Sequence, residues 1–453
     1  MSYSGSVSVG IDIGTTSISA AVIDFIKRTV VDTYTIPYAF GIACDDPGIR
    51  EQDARKICDS VLGLAEEITN KFDNVKSIGV TGQMHGIVYL DKSGNAASNL
   101  KTWQDKRGDK LYESGETYCQ RINSVTGESI YTGYGFSTIY YDLLNGLIPS
   151  EAHSFCSIMD YAVMKLTGND RPMIHTSVAN SFGLFDVLGG TFKHGLIEKL
   201  GIVDISLPAV TDDYAICGSY KNVPVSVAIG DNQASFLGTV DDVDSSILLN
   251  VGTGSQISSV TSSSEVKNGL EIRPLVKGRY LQCGSALCGG SAYALLERFF
   301  REYVSATGAD AVSQYEIINK LAKEAYVQGK ETPFINTSFM GKRSDPDCTG
   351  FITGITYNNF TPGNIALGFI KGICFELYQY FKDELSGKNA VIASGNAVQR
   401  IDIFKDIIAE MFGLPVMISS TTEEASVGAA LFSLVSVGVF DDIKDFGNFI
   451  KYN

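Results

Sequence analysis

Two aspartates stand beside turns rich in small residues, and each is placed where a carboxylate can do chemistry. Asp12 closes a run in which Val7, Val9, Ile11 and Ile13 alternate with Ser8, Gly10 and Asp12, the period-two pattern of a strand. Gly14-Thr15-Thr16 interrupts the alternation, and Ile18, Ala20 and Val22 resume it, so the segment reads as a β-hairpin with a tight turn. Just before that turn Asp12 can hold Mg²⁺, directly or through water, because this ion takes carboxylates, phosphates and retained waters. The plainer reading is a solvent-facing strand residue. Asp231 follows Val227-Ala228-Ile229-Gly230 at the end of another apolar strand and precedes Asn232-Gln233-Ala234. There it can cap a helix. A carboxylate at a strand's carboxyl end can also take the proton of an attacking hydroxyl. The two roles are compatible.

A second turn, Gly252-Thr253-Gly254-Ser255, separates Ile247–Val251 from Gln256–Val260 in the same manner as the first. No G-x-x-x-x-G-K-[ST] run occurs, which excludes a Walker-type phosphate loop. Two facing hairpin turns offer another way to hold a triphosphate, through backbone N–H groups and hydroxyls, with Gly14, Gly252 and Gly254 permitting close approach. Each turn taken singly reads first as an ordinary hairpin, which favours glycine anyway. Thr81-Gly82-Gln83-Met84-His85-Gly86 follows a further buried strand; His85 can donate to a hydroxyl and Met84 can pack on a carbon face, or both belong to the core. The only tryptophan, Trp103, lies beside Gln104 and Asp105, the aromatic body with polar tips that suits a sugar.

The elements that must position these residues alternate between strand and helix. Arg55–Phe72 is amphipathic, Ser77–Thr81 and Val223–Gly230 read as strands, and Val391–Ala393 as a buried strand feeding a glycine turn. Helices are expected at Ser291–Val304, Thr361–Leu385, Ile401–Phe412 and Ala425–Val437. This is an α/β pattern with mixed sheets. The acidic stretch Asp241-Asp242-Val243-Asp244 divides the chain into 1–240 and 241–453. A formal charge of −15 excludes a nucleic-acid footprint. The nine cysteines lack a C-x-x-C pair and read as reduced, buried thiols of a cytoplasmic protein. No apolar run reaches the roughly 20 residues that cross a bilayer, and the opening Met1–Ser6 lacks the basic and apolar regions of a signal peptide.

Taken together the segments resemble the FGGY family of carbohydrate kinases. The matching pieces come in family order from about residue 7 to 435: Gly10-Ile11-Asp12-Ile13-Gly14-Thr15-Thr16, Gly82-Gln83-Met84-His85-Gly86, Trp103-Gln104-Asp105, Gly230-Asp231-Asn232-Gln233-Ala234, Gly252-Thr253-Gly254, Gly289-Gly290 and Ser394-Gly395-Asn396-Ala397. The resemblance implies a two-lobed actin-like, ribonuclease H-related fold with a central cleft. It implies Asp231 as catalytic base and Asp12 as the metal-associated aspartate. Thr15, Thr16 and Thr253 match phosphate-contacting positions; Ser17, Gly252, Gly254, Gly290, Gly395 and Gln399 complete the expected nucleotide set. Met84, His85 and Asn232 fall where the sugar is held, with Trp103 and Asp105 added to that group.

ATP and Mg²⁺ are therefore the expected cofactors, and the expected partners are a small sugar and ATP, with no nucleic acid and no membrane; a homodimer is left open. Within the family, Arg50-Glu51-Gln52-Asp53, Thr132-Gly133-Tyr134-Gly135-Phe136, Ile158-Met159-Asp160-Tyr161 and Ser177–Gly183 resemble the sedoheptulokinase branch. Tyr140 stands where many family members carry lysine, and Ser394-Gly395-Asn396-Ala397 departs from the usual run of glycines. The expected reaction is phosphorylation of sedoheptulose at its terminal hydroxyl, with D-xylulose or another ketose or polyol as the first alternative. A sugar or nucleotide sensor and an actin-like ATPase are the rivals from other classes.

Overall fold

The computed structural model describes residues 3–452 apart from 114, 266–268, 311, 343–344, 346, 422 and 448. Two six-stranded mixed sheets organise the chain. In the first, β1 (Val7–Ile13), β2 (Ser17–Asp24) and β3 (Thr29–Pro37) form an antiparallel meander, and β4 (Val75–Gly82) runs parallel to β1. The hairpin of β5 (Ile216–Tyr220) and β6 (Val223–Ser226) completes the sheet, β6 parallel to β4.

The second sheet repeats the plan. An antiparallel pair, β7 (Ser246–Val251) and β8 (Ser255–Thr261), continues to β10 (Arg279–Ala286) and β9 (Glu271–Val276) on one side. On the other side β11 (Ala390–Ser394) and β12 (Val416–Ile418) run parallel. The two glycine-rich turns thus occupy equivalent places, each closing the hairpin at the centre of its sheet.

Side-chain alternation decides what covers each face. Val7, Val9, Ile11 and Ile13 pack against helix α1 (Ala54–Lys71), whose Ile57, Val61, Leu64 and Ile68 recur at helical spacing. Asp53 caps α1, its carboxylate accepting from the N–H groups of Arg55 and Lys56. In the second sheet Ile247, Leu249 and Val251 face α4 (Pro362–Phe381) and α5 (Ile403–Phe412). The even-numbered face of β1 is not turned to solvent, as the plainer reading of Asp12 supposed. It is covered by α6 (Glu424–Ser436), a helix buried nearly all round. A Cβ on Gly10 would lie 1.7 Å from the Ser426 carbonyl oxygen, and one on Gly79 would lie 1.9 Å from that of Ala429. Only glycine lets the helix backbone rest directly on the sheet. Helix α2 (Asp231–Thr239) crosses α6 equally closely through Gly238 and Gly428. The pair joins the two sheets in a third core with Ile23, Phe236, Leu248 and Leu431.

The expected elements differ from the observed ones at their ends. The strand ends at Ser226 instead of Gly230, leaving 227–230 to lead into α2. The helix expected at 401–412 is α5 and begins at Ile403, because Ile401 is extended; a separate short helix, Asn396–Arg400, precedes it. Helix α3 (Gly290–Ala306) begins one residue before its expected start. Among the described residues no helix is long and apolar enough to cross a membrane.

Candidate active site

Three neighbouring parallel strands, β6, β4 and β1, deliver their carboxyl ends to one side of the first sheet. Asp12 lies in β1 just before its last residue, Ile13; Gln83, Met84 and His85 follow β4, and Asp231 follows β6 across residues 227–230. The ends are pinned to one another: Gln83 N–H donates to Ile13 O at 2.8 Å, Ile229 N–H to Val80 O at 3.1 Å, and Thr81 Oγ1 to Ile229 O at 2.8 Å. Carboxyl ends of parallel strands are where α/β sheets place ligands. Here they open onto a cleft of about 550 Å³ whose opposite wall is the second sheet. Asp12, Thr15, Met84, His85, Trp103, Asp231 and Asn232 all line it.

Asp231 does not cap its helix. Gly230 is the N-cap and Asp231 the first helical residue, and Asp231 lines the cleft. Burial pushes its pKa up to about 6, while the Asn232 N–H and the Arg273 guanidinium pull it down. Asp12 is pushed up further, to about 7, first by burial and then by the carboxylates of Asp231 and Glu423. Its Oδ1 is buried without a hydrogen-bond partner. An unpaired acceptor among like charges suits a cation or a hydrated cation. Among the described residues no group of three or more His, Cys, Asp or Glu side chains gathers to hold a metal alone, so such an ion would take most ligands from phosphate and water.

His85 has φ of 71°, a left-handed conformation costly for a residue with a Cβ. It is held there from two sides. Its N–H donates to Ser181 Oγ at 3.1 Å, and Nδ1 lies 2.7 Å from the Ser181 carbonyl. A carbonyl can only accept, so Nδ1 carries a proton and donates to it, which fixes the orientation of the ring at the cleft. The ring stacks on Tyr134 with centroids 4.6 Å apart.

Trp103 joins the sugar side to the first hairpin, its Nε1–H donating to Thr15 Oγ1 at 3.1 Å. Asp105 does not reach the cleft. It is fully buried, bidentate to Arg107 at 2.8 and 2.9 Å, and accepts the Arg50 N–H. Arg107 continues to Asp142 and Glu51. The carboxylate expected to bind sugar is committed to an ion cluster beneath Trp103.

Thr16 and Ser17 shape the first hairpin but are not part of the cleft wall; Thr16 O accepts from Tyr38 N–H and Ser17 O from Gly14 N–H. The second hairpin gathers the remaining expected residues at the carboxyl ends of β7 and β11. Gly290 N–H donates to Gly252 O at 2.7 Å, and both Gly289 and Ser291 N–H donate to Thr253 O. Gly254 packs against this start of α3, and Gly395, with φ of 94°, passes so close to Val251 that a Cβ would lie 2.5 Å from its carbonyl. Gln399 lies one turn beyond Gly395, exposed on the helix Asn396–Arg400.

Several cleft residues were not anticipated. Asn250, Gln256, Ser258 and Ser285 line it from one face of the second sheet, at paired positions Asn250–Gln256 and Gln256–Ser285. The signal was present as polar residues alternating with Ile257 after the second turn. Arg273 enters from β9, half-covered and ion-paired with Glu271 at 2.6 Å. Gln52 is missed for another reason. Its Nε2 donates to Thr15 O at 2.8 Å, and Gln83 Nε2 donates to its Oε1 at 3.0 Å, so it fixes the hairpin from outside the cleft.

Residues 7–246 match the N-terminal domain, and residues 248–437 the C-terminal domain, of the FGGY family of carbohydrate kinases. Sedoheptulokinase of Mus musculus is 25% identical over 94% of this chain and 97% of its own. Glycerol kinase of Trichlorobacter lovleyi is 26% identical over 88% and 84%. The solved structure of xylulose kinase from Rhodospirillum rubrum superposes with a TM-score of 0.82 at 20% identity, covering 98% of this chain and 93% of that one. The two domain matches together span nearly the whole chain and meet at the cleft, and they place it in the FGGY family of carbohydrate kinases, phosphotransferases that act on sugar hydroxyls.

Proposed function

We propose that the protein transfers the γ-phosphoryl group of ATP to the terminal primary hydroxyl of a ketose, with sedoheptulose as the preferred acceptor and sedoheptulose 7-phosphate as product. The observation that carries this reading is the meeting of Asp231, His85 and the Thr15 hairpin in one cleft. It brings a base, a hydroxyl-binding wall and a phosphate-type turn within reach of one acceptor. Sedoheptulose is placed first because the mouse sedoheptulokinase matches end to end and because four sequence segments outside the shared family motifs resemble that branch. D-Xylulose is the second choice.

In the proposed step the acceptor hydroxyl oxygen attacks the γ-phosphorus in line. Its bond to phosphorus forms as the bond to the β,γ-bridging oxygen breaks, and ADP leaves. Asp231 accepts the hydroxyl proton, for which a pKa near 6 is well matched at neutral pH. His85 orients a hydroxyl, and Met84 packs against the carbon chain. In this reading the turns that carry Thr15, Thr16 and Thr253 take the phosphates, Thr15 from the cleft wall itself, with Gly290, Gly395 and Gln399 on the nucleotide side. Asp12 is the residue that would hold Mg²⁺, which when bound supplies charge neutralisation on the phosphates. Tyr140, at the position where the family resemblance leads one to look for lysine, is buried in the first lobe's core.

The test is ADP release by the purified protein with Mg-ATP against sedoheptulose, D-xylulose, L-ribulose, ribitol, glycerol and no acceptor. Turnover with sedoheptulose above the others is the expected result. Preference for another acceptor discards the substrate; turnover without any acceptor discards the transfer to sugar.

A further inference from the structure

Beside the cleft lies a second cavity of about 370 Å³ that none of the roles above uses. It opens where β10 runs past the start of β9, since the β9 register ends with Glu271 opposite Cys283 and Ser285 lies beyond it. Helix α4 contributes Glu376 and Gln379 to its wall, and the strand Phe334–Asn336 contributes Asn336.

This space adjoins the cleft at β10. Ser285 lines both. Arg273 on the cleft side donates to Glu271 on the cavity side at 2.6 Å. Tyr131, which reaches into the cavity from the first lobe, meets Tyr134 edge-on at 5.7 Å, and Tyr134 is the ring stacked on His85.

Its chemistry is that of a hydroxyl binder. Amides and carboxylates with an aromatic wall can accept from and donate to several hydroxyls at once. The Glu376 carboxylate is held in place by Thr337 Oγ1 at 3.1 Å and Ser338 Oγ at 3.3 Å. Glu271 and Glu376 against Lys342, the one cation among the described lining residues, disfavour a phosphate and favour an uncharged polyol.

The geometry points to this cavity as the compartment for the end of the acceptor chain remote from the phosphorylated hydroxyl. A polyhydroxylated chain of six or seven carbons passes Arg273 and fills it, whereas glycerol stops in the cleft. The inference rests on the reading of the cleft as the acceptor site and adds chain length as the property selected.

The test compares kcat/KM for sedoheptulose with that for glycerol in the wild type, Gln379→Phe and Glu376→Gln. The first variant narrows the cavity from α4; the second keeps its shape and removes a charge. The sedoheptulose-to-glycerol ratio is expected to fall by about tenfold or more in each, the scale of losing hydroxyl contacts in a built site. An unchanged ratio in either folded variant overturns the inference. A wild type that uses glycerol as efficiently as sedoheptulose also overturns it, while leaving the kinase reading intact. If no acceptor is phosphorylated the kinase reading falls instead. The cavity is then decided by titrating sedoheptulose against the fluorescence of Trp103: binding weakened about tenfold by Gln379→Phe keeps it, and equal or absent binding removes it.

Discussion

The two raised carboxylates make separate predictions because one sits where it must lose a proton and the other where it costs stability. A base works in its ionised form, so kcat/KM for the sugar should rise about tenfold per pH unit below about pH 6 and level off above it, following Asp231. Asp231→Asn should lower kcat by about 10²–10⁴-fold with little change in sugar KM, measured as sugar-dependent ADP release. Asp12 is the stability case. Its folded pKa of about 7 lies above the ordinary carboxylate value, so the folded state binds its proton more tightly than the unfolded chain. That contribution is fully present below about pH 4 and is lost as pH rises through 7. Asp12→Asn should therefore stabilise the ligand-free protein by about 2–4 kcal/mol at pH 8 and hardly at all at pH 4, while it lowers activity. Thermal melts at the two pH values check this, and equal shifts at both would remove the charge explanation. Asp12 and Asp231 were legible in the sequence because each closes an apolar run, one within a strand and one at the start of a helix. Asp105 was not, because a motif does not say that Arg107, two residues on, holds its carboxylate inside the lobe. Arg273 was hidden for the complementary reason: its importance comes from Asp231, on another element.

Elements enter through their backbones as much as their side chains. Helix α6 was readable as a helix from its apolar run, but nothing in its own sequence says that it leaves the second sheet and lies on the first. The information is in its partners, Gly10 and Gly79, which look like unremarkable strand glycines until the helix backbone is seen 1.7–1.9 Å from their missing Cβ positions. A methyl group has no room there, and neither sheet nor helix can yield without disturbing the joint between lobes. Gly10→Ala should cost about 2–4 kcal/mol, above the usual range for a single added methylene because backbone must move. Gly63→Ala, on α1 with open space around its Cβ position, is the control and should be neutral or slightly stabilising. Denaturant midpoints for the two variants provide the check. The first hairpin is an element of another kind, short and fixed from outside: Gln52 holds Thr15 O, Gln83 holds Gln52, and the Tyr38 hydroxyl donates to Gly14 O. Gln52→Leu should raise the KM for ATP severalfold with sugar affinity kept, because the turn, not the sugar wall, loses its support.

At the scale of the whole molecule, charge and architecture act in opposite directions on the two substrates. The chain carries a formal charge of −15, and the cleft holds Asp12, Asp231 and Glu424, all with raised pKa values. An acidic field repels an anionic nucleotide and is indifferent to a neutral sugar. In the proposed reading the second lobe answers with backbone instead of charge, with the Gly252–Gly254 turn, the start of α3 and Gly395 gathered at the carboxyl ends of β7 and β11. Such short-range hydrogen bonding works only after encounter and does nothing for approach. Raising ionic strength shortens the Debye length from about 30 Å at 0.01 M to about 8 Å at 0.15 M, so repulsion should fade and kcat/KM for Mg-ATP should rise by about two- to fivefold over that range. The value for the sugar should stay level, which separates the field from any general effect of salt on the enzyme. A fall with salt for the nucleotide would mean that local cations at the second hairpin outweigh the net charge, and the backbone account of phosphate binding would then have to give way to one built on side chains.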